Sequence, residues 1–303
     1  MKRRVLADLI LYVMTVVMFL PLCAGAGEDP QTFYERGREA YNRFSDDHIK
    51  AAIIFFEKAI EGSPSFSPAY SALAEAYIQE YLRNPEASPG LLEKAAAAAE
   101  KALFTDARSA SAHKAIASVY YAKGMVAEAI EELERAIDMV PDYARALLNL
   151  GACWLAMEDR ERALGFFRDA VNADNDDLAK GIAYYNMASL EADEKRFDSS
   201  LEVYRKAAGL VPDYYNIHYG LGVVYMNLDR DGDAVESFRE AVRLKADYIP
   251  GHMGLASAYH RLGNKPSAMK AYEAVLAVDP ESEEAEKGLA ALKGKKIGCL
   301  FIY

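Results

Sequence analysis

Three of the five histidines recur at one place in a repeating pattern, and histidine is the side chain that most often binds a metal. His218 and His252 lie 34 residues apart, and His113 occupies the same position in an earlier copy of that period. Because this recurrence follows from the period itself, we expect these imidazoles to pack against the preceding unit. His48 is expected in a turn and His260 on another side of its helix.

An acidic run resembles an EF-hand calcium loop. Asp229, Asp231 and Asp233 have the spacing of the first ligands, and Glu240 stands where the last ligand belongs. The glycine needed at the sixth loop position is Ala234, a small residue at helical spacing. We therefore expect helical backbone there, which cannot wrap an ion.

No catalytic motif is complete in the sequence. Gly220-Leu221-Gly222 begins like a dinucleotide-binding fingerprint, but Tyr225 stands where its third glycine belongs. The phosphate loop GxxxxGK[ST], the zinc motif HExxH and the nucleophile motif GxSxG do not occur. Because the repeats described below use nearly every residue, we predict no enzyme, no cofactor and no metal site.

Cysteine content and net charge argue against three further classes of protein, which are disulfide-rich, zinc-binding and nucleic-acid-binding proteins. Cys23, Cys153 and Cys299 form no CxxC pair, which argues against a disulfide framework or a zinc site. Cys153 is expected to be a small buried hydrophobic residue. The formal net charge is −11, and no cluster of Lys and Arg offsets it. Since an acidic surface repels phosphate, nucleic acid is not an expected partner.

The stretch 110–143 has the spacing of two packed helices, which we name A and B. Large and small apolar residues recur at i, i+3, i+4 and i+7, so that they share one face of each helix. The residues with this spacing are His113, Ile116, Ala117 and Tyr120 in helix A and Ala129, Leu133 and Ala136 in helix B. Gly124 permits the turn between the helices, and Pro141 ends helix B.

This unit resembles a tetratricopeptide repeat, whose pattern is large-x2-large-small-x2-aromatic, then Ala-x3-large, then Pro, at a period of 34 residues. The resemblance implies an all-α fold. It implies an α-solenoid, in which antiparallel helix pairs stack into a right-handed superhelix with the A helices on the concave side. It also implies that the chain binds partners and carries out no chemistry of its own.

Seven such repeats are predicted in register within a solenoid domain of residues 27–293. They cover residues 30–66, 67–109, 110–143, 144–180, 181–214, 215–248 and 249–282. Added residues are expected in the turn near Asp46 and Asp47 and in a loop around 83–90, and residues 178–180 restore the phase of the repeat three residues late. A capping helix is predicted at 283–293. The apolar tail 294–303 is expected to dock on the capping helix, to be disordered, or to meet a partner.

Residues 1–26 have the composition of an export signal. The basic start MKRR precedes an apolar run at 9–22, and the sequence AGA at 24–26 offers a small-x-small cleavage site. The run is shorter than the ~20 residues needed to cross a bilayer. We expect cleavage before Gly27. The alternatives are an uncleaved anchor and a lipid on Cys23, where Leu22 replaces the small residue of a lipobox. In each case the body is exported, most simply to the periplasm, and only the leader reaches the membrane.

The resemblance implies that positions 2, 5, 9, 12 and 13 of each A helix face the concave groove. Aromatic, aliphatic and methionine side chains edged by polar ones suit an extended peptide or a partner helix. The predicted groove residues are Lys114, Tyr121, Arg145, Leu148, Leu155, Tyr185, Asn216, Tyr219, Met226, Asn227, Met253, His260 and Arg261. The alternative is that adjacent A helices pack these residues against one another and leave little groove.

The carboxylate clamp of chaperone-binding members is incomplete in this chain. Lys114 fits its first position, but Ser118 replaces the expected Asn and Ile182 replaces a Lys. Recognition of a chaperone tail is therefore not expected. The sequence predicts a non-catalytic scaffold of the cell envelope that binds a protein or peptide in its groove. The second hypothesis is a membrane-tethered structural subunit of an envelope or secretion assembly.

Overall fold

The structure, a computed structural model, describes residues 29–43, 45–83, 90–173 and 176–294. Within these ranges the chain forms fifteen α-helices and no β-strand. In order they are α1 (Pro30–Arg43), α2 (Asp46–Gly62), α3 (Ser67–Arg83), α4 (Leu91–Thr105), α5 (Ala110–Ala122), α6 (Val126–Met139), α7 (Ala144–Ala156), α8 (Arg160–Asn172), α9 (Asp177–Asp193), α10 (Phe197–Leu210), α11 (Tyr215–Asn227), α12 (Asp231–Leu244), α13 (Ile249–Arg261), α14 (Lys265–Val278) and α15 (Glu283–Leu292).

The predicted leader, residues 1–26, and residues 295–303 of the predicted tail lie outside the described residues. None of the fifteen described helices combines the length and the apolar character that crossing a bilayer requires.

Consecutive helices pack in pairs, and the pairs stack in chain order. Odd-numbered helices α1 to α13 are the A helices and even-numbered helices are the B helices. Each helix contacts the next one, each A helix also contacts the following A helix, and α15 packs on α14. The predicted all-α solenoid is therefore confirmed.

The stack is held together by side chains at the spacing seen in the sequence. In α6, for example, Ala129, Leu133 and Ala136 are buried at i, i+4 and i+7, on the face that packs against α5. The side chains of Ser109 and Asp159 accept hydrogen bonds from backbone N–H groups in the first turns of α5 and α8, so local sequence also sets where these helices begin.

Three repeats pack a phenylalanine of helix B directly on a glycine of helix A. The pairs are Gly37 with Phe56, Gly151 with Phe167, and Gly222 with Phe238. A methyl group added to these glycines would come within 2.5, 2.4 and 2.5 Å of the respective ring. The missing side chain thus lets the two backbones approach while a full aromatic ring fills the space between them.

The turn between helices A and B has the same backbone in five repeats, whatever residue it carries. Its central position has positive φ at Gly124, Glu158, Lys195, Asp229 and Gly263, with values of 77°, 63°, 60°, 56° and 73°. Side chains other than glycine rarely adopt this left-handed region. The turn is therefore imposed by the packing of the helices, and only two repeats have the residue that suits it.

The structure corrects the predicted places of the added residues. Asp46 and Asp47 form the first turn of α2, and the residues 178–180 lie in the first turns of α9. Both helices, like α3, have 17 residues, whereas α5, α7, α11 and α13 have 13. An insertion of about one helical turn lengthens a helix without changing which face is buried. The prediction that Asp46 and Asp47 lie in a turn is wrong, and the added residues 178–180 restore the phase of the repeat from inside a helix.

Candidate functional site

The A helices form the inner face of the stack, and this face encloses a cavity of about 390 Å³. Small-molecule sites commonly have volumes of about 300–1,000 Å³, so space remains between the A helices. The wall combines aliphatic side chains with side-chain amides. These are Ile78, Leu82, Leu148, Leu178 and Ile182, and the amides of Gln79, Asn149, Asn186 and Asn216.

Acidic residues are distributed unevenly between the two helices of a repeat. The A helices α5, α7, α11 and α13 contain no Asp or Glu, whereas the B helix α6 contains five and α12 contains four. Much of the negative charge therefore lies away from the inner face.

A buried ion pair lies at the centre of the groove. The Nζ of Lys114 is 2.8 Å from the Oε1 of Glu75, and the two residues are 4% and 8% exposed. Ser118 donates a hydrogen bond to the same carboxylate at 2.8 Å, and Asn149 donates to the Ser118 hydroxyl at 3.2 Å. Burial lowers the pKa of the Lys114 ammonium, although the charge of Glu75 acts in the opposite direction.

Arg145 extends these contacts across the groove. Its Nε donates to Oδ2 of Asp176 at 2.5 Å, and its Nη2 donates to Oδ1 of Asn42 at 2.7 Å. Its guanidinium also lies over the Tyr41 ring, 5.3 Å from the ring centroid. Burial acts to raise the pKa of Asp176, but the charge and hydrogen bond of Arg145 outweigh it and hold that pKa below its usual range.

These contacts involve the first four repeats, because Asn42, Glu75, Lys114 and Arg145 lie in α1, α3, α5 and α7, and Asp176 caps α9. We call this set the polar network. It comprises Asn42, Glu75, Lys114, Ser118, Arg145, Asn149 and Asp176.

Five tyrosines form a continuous row along repeats five and six, here called the tyrosine row. In order of contact they are Tyr185, Tyr214, Tyr215, Tyr248 and Tyr219, with ring centroids 5.4, 5.8, 4.7 and 5.5 Å apart. Tyr214 and Tyr215 also line the cavity, so the row continues from it. Burial raises the pKa of all five phenols, which stay protonated at neutral pH.

The structure brings together seven of the thirteen predicted groove residues. Lys114, Tyr121, Arg145, Leu148 and Asn216 line the cavity. Tyr185 and Tyr219 belong to the tyrosine row. Of the cavity residues, Leu148 is buried and Tyr121 is 37% exposed, while Lys114 and Arg145 are already held by carboxylates of the chain.

The other six predicted residues do not line this cavity. Leu155, Met226 and Met253 are half-buried, whereas Asn227, His260 and Arg261 are exposed. The guanidinium of Arg261 is 2.5 Å from Asp229 and 3.0 Å from Asp231. The amide of Asn227 donates to a carbonyl of its own helix, that of Val223. The polar groups of Asn227 and Arg261 are thus engaged within the chain.

Sequence reasoning missed several residues of the inner face. Asn149 and Asn186 both occupy position 6 of their repeats, beside the predicted stripe, and Gln79 lies at position 13 of repeat two. The amides of Gln79 and Asn186 make no hydrogen bond to other described residues. Tyr248 ends its repeat as Tyr214 ends the previous one, a recurrence that could have drawn attention to the row.

Two of the recurrent histidines bond to the preceding repeat. The Nε2 of His218 lies 2.6 Å from the carbonyl oxygen of Pro212, and that of His252 lies 2.8 Å from the carbonyl of Ala246. His113 differs from the expectation, because its Nδ1 contacts Glu132 of its own helix B at 2.6 Å. Its imidazole is therefore hydrogen-bonded within its own repeat.

The remaining candidates for chemistry lie in helices. Ala234 of the calcium-like run is buried inside α12, whose helical backbone begins at Asp231. Cys153 is buried as predicted, and burial raises the pKa of its thiol to about 12. In the part of the chain that the structure describes, no three His, Cys, Asp or Glu side chains are grouped as metal ligands.

Sequence models of the tetratricopeptide repeat match five segments of this chain. The segments are 90–143, 120–182, 188–229, 215–248 and 250–282, which together cover more than half of its residues. No curated protein sequence matches the chain.

Solved structures are similar in fold. A chain of the APC/C hetero-tetramer Cut9-Hcn1 superposes with a TM-score of 0.62 at 14% identity, over 84% of this chain and 54% of that one, so this chain spans about half its length. Pseudomonas aeruginosa pilF gives 0.57 at 19% identity, over 74% of this chain and 97% of that one. PilW, described as a type IV pilus biogenesis factor, gives 0.57 at 22% identity, over 74% and 98%. The repeat spacing, the stacked helix pairs and the matching models agree, and the chain belongs to the tetratricopeptide repeat family.

Proposed function

We propose that this chain is a non-catalytic scaffold that binds a protein or peptide partner in its concave groove. The observation that carries the proposal is the cavity between the A helices, whose wall joins apolar side chains to the unpaired amides of Gln79 and Asn186. Amides of this kind can hydrogen-bond to the backbone of an extended segment, while Leu148 and Ile182 contact its side chains.

The groups of the groove that could do chemistry are engaged in structural contacts. The Lys114 ammonium is paired with Glu75, and the Arg145 guanidinium with Asp176. Concave faces of stacked repeats generally serve as extended binding surfaces. A binding role therefore accounts for the inner face without requiring a reaction.

We further propose that the scaffold works in the cell envelope, with the periplasm as its compartment. The support is the composition of residues 1–26 and the fold shared with PilW, a pilus biogenesis factor. The alternative is a membrane-tethered structural subunit of an envelope or secretion assembly. An intact-mass measurement of the exported protein separates the two, because a mass that begins at Gly27 removes the tether.

Groove binding is tested by affinity capture from a cell-envelope extract. Replacing Gln79 and Asn186 by Ala removes two amides of the cavity wall and should abolish capture of the partner that the wild-type chain retains. The matched control is Phe104→Ala, which removes an aromatic ring that is 83% exposed on a B helix and should leave capture unchanged. Unchanged capture by a folded double variant would show that the partner binds elsewhere.

A further inference from the structure

A second, smaller pocket adjoins the main cavity near the first repeats, and we call it the side pocket. It encloses about 210 Å³. The two spaces share part of their walls, namely Tyr41, Glu75, Lys114 and Arg145. Small-molecule sites commonly have volumes of about 300–1,000 Å³, so the side pocket has room for one side chain and not for a whole ligand. A segment that lies in the main cavity can therefore place one of its side chains in the side pocket.

The charges that line the side pocket do not cancel. Three cationic side chains and two carboxylates of the described residues contribute to its wall. Lys114 lies 2.8 Å from Glu75, and Arg145 is paired in the same way with a carboxylate 2.5 Å away, that of Asp176. The third cation is Arg38, which has no carboxylate within ion-pair distance among the described residues. The wall therefore carries one positive charge in excess.

Arg38 is held at the side pocket by an aromatic support. Its guanidinium lies over the Tyr34 ring, 6.0 Å from the ring centroid. That ring packs in turn against Phe56 and Phe66, with centroids 5.9 and 5.2 Å apart. Arg38 itself is exposed, so an incoming group can reach it. The planar fork of N–H donors on a guanidinium matches the two oxygens of a carboxylate.

Hydroxyl groups complete the wall of the side pocket. Ser111 donates a hydrogen bond to the Ser71 hydroxyl at 3.3 Å, and both side chains line the pocket. Burial raises the pKa of Tyr143, so its phenol is protonated at neutral pH and can donate to a ligand. Because hydroxyl groups both donate and accept hydrogen bonds, they do not select the charge of the ligand. The excess positive charge of Arg38 does.

This charge balance favours one carboxylate over other groups. A cationic side chain would add a second unpaired positive charge beside Arg38, and a neutral one would leave the excess charge uncompensated. A phosphate group carries a charge of about −1.5 to −2, which would leave excess negative charge beside Glu75 and Asp176. The terminus of a chain would bring its last side chain as well as its carboxylate into the same small volume. An acidic side chain enters alone and supplies a single negative charge.

We infer that the side pocket binds an acidic side chain of the partner segment through Arg38. The carboxylate pairs with the guanidinium, the hydroxyl groups of the wall supply further donors, and the rest of the segment lies in the main cavity. The inference rests on the proposed function and specifies the chemistry of the partner.

The test is a selection of decapeptides from a random library on the immobilised full chain. The peptides are acetylated and amidated at their ends, so that every carboxylate belongs to a side chain, and one subset contains phosphoserine. Mass spectrometry identifies the peptides that are retained. At one position of the aligned sequences, Glu or Asp should be enriched about fivefold over Gln or Asn, the upper end of what a partly exposed ion pair contributes.

Variants of two arginines in one helix locate the site. Arg38→Gln should abolish the acidic preference, whereas Arg38→Lys keeps the charge and should retain part of the preference. The matched control is Arg36→Gln, which removes the same charge two residues away. Arg36 lies over the Phe55 ring and does not line the side pocket. Its loss should change the preference by about twofold or less, because solvent screens a charge that does not touch the ligand.

A second cation of the groove provides an alternative place for the acidic residue. The Nζ of Lys245 lies over the Tyr215 ring of the tyrosine row, 5.2 Å from its centroid. Lys245→Gln should leave the acidic preference unchanged to within about twofold. If this variant abolishes the preference and Arg38→Gln does not, the acidic residue lies at the tyrosine row and the inference is wrong.

Three further results would overturn the inference. They are a retained pool without enrichment of acidic residues, stronger retention of the phosphoserine subset, and retention of no peptide. The proposed function is judged separately, by capture of the envelope partner with the variant Gln79→Ala, Asn186→Ala. If that variant captures less partner than wild type does, groove binding stands even when the acidic preference is absent. If capture is equal, the proposed function fails whatever the library shows.

Discussion

In the first four repeats charged side chains cross the groove, whereas in repeats five and six the same face of the A helices carries tyrosines. Position 5 of the repeat makes the contrast direct, because it holds Lys114 in repeat three and Tyr185 and Tyr219 in repeats five and six. Lys114 is neutralised inside the chain, while the two phenols keep unused hydroxyls. One scaffold therefore carries early repeats in which Lys114 and Arg145 pair with internal carboxylates, and later repeats in which the hydroxyls of Tyr185 and Tyr219 have no partner among the described residues.

The largest expected effect on stability comes from breaking the buried ion pair of the early repeats, between Lys114 and Glu75. Glu75→Ala leaves the Lys114 ammonium buried without its partner and should lower the free energy of unfolding by about 3–5 kcal/mol. Denaturant unfolding followed by circular dichroism measures it. The double variant Glu75→Leu, Lys114→Met should recover most of the loss. A cost below ~1 kcal/mol for the single variant would mean that this half is not held by its ion pair.

Removing the charge of Asp176 should give a smaller effect that depends on pH. The folded-state pKa of Asp176 is lowered below its unfolded value of about 3.9, so its contribution is present above that pH and is lost as the pH falls through the folded pKa. Asp176→Asn should cost about 1.5–3 kcal/mol at pH 7. Urea unfolding should show the gap from wild type shrinking below about pH 4.

The tyrosine half provides the control for that experiment. Burial raises the pKa of Tyr219, so its phenol is protonated in the folded and unfolded states throughout this acidic range. The stability difference between wild type and Tyr219→Phe should therefore stay constant from pH 7 to pH 3. A gap that changes with pH here, or one that stays constant for Asp176→Asn, would contradict the placement of the Arg145–Asp176 ion pair in the polar network and of uncharged phenols in the tyrosine row.

The packing of helix A on helix B should contribute equally to stability in the early and the later repeats. Gly151→Ala in the first half and Gly222→Ala in the second place a methyl group 2.4 and 2.5 Å from a buried phenylalanine ring, and each should cost about 1–3 kcal/mol by thermal unfolding. Gly165→Ala is the control, because no atom lies within 4 Å of the added group, and it should stabilise the chain by about 0.5–1 kcal/mol. Unequal costs would place the difference between the halves in the scaffold itself.

The smallest expected effect on stability is at the turn between helices A and B, which recurs in early and later repeats. Lys195 has φ of 60°, a strain of about 1–2 kcal/mol that glycine relieves at an entropic cost of about 0.5–1 kcal/mol. Lys195→Gly should therefore raise the free energy of unfolding by about 0.5–1 kcal/mol. Lys195→Ala keeps the strain and should give no gain in the same measurement.

The repeat register was enough to predict the helix pairs and their buried faces, because each repeat buries the same positions. It misplaced the insertion near Asp46, since a loop and an added helical turn preserve the register equally well. The pairing of Lys114 with Glu75 was also missed. Which side chains of neighbouring repeats meet depends on how the helices stack, and a linear pattern contains no such distance.

The contact between Asn42 and Arg145 was still harder to predict, because these residues are 103 positions apart and meet only through the curvature of the whole stack. The predicted stripe at positions 5 and 9 did identify the helix face on which Tyr185 and Tyr219 lie. It could not distinguish the residues that line a cavity from those that, like Arg261, turn toward their own carboxylates.

The hydrogen bond from Arg145 to Asn42 also bears on how the superhelix could change its pitch. The hydrogen bond joins the first repeat to the fourth, so a change of superhelical pitch that moved these two repeats apart would break it.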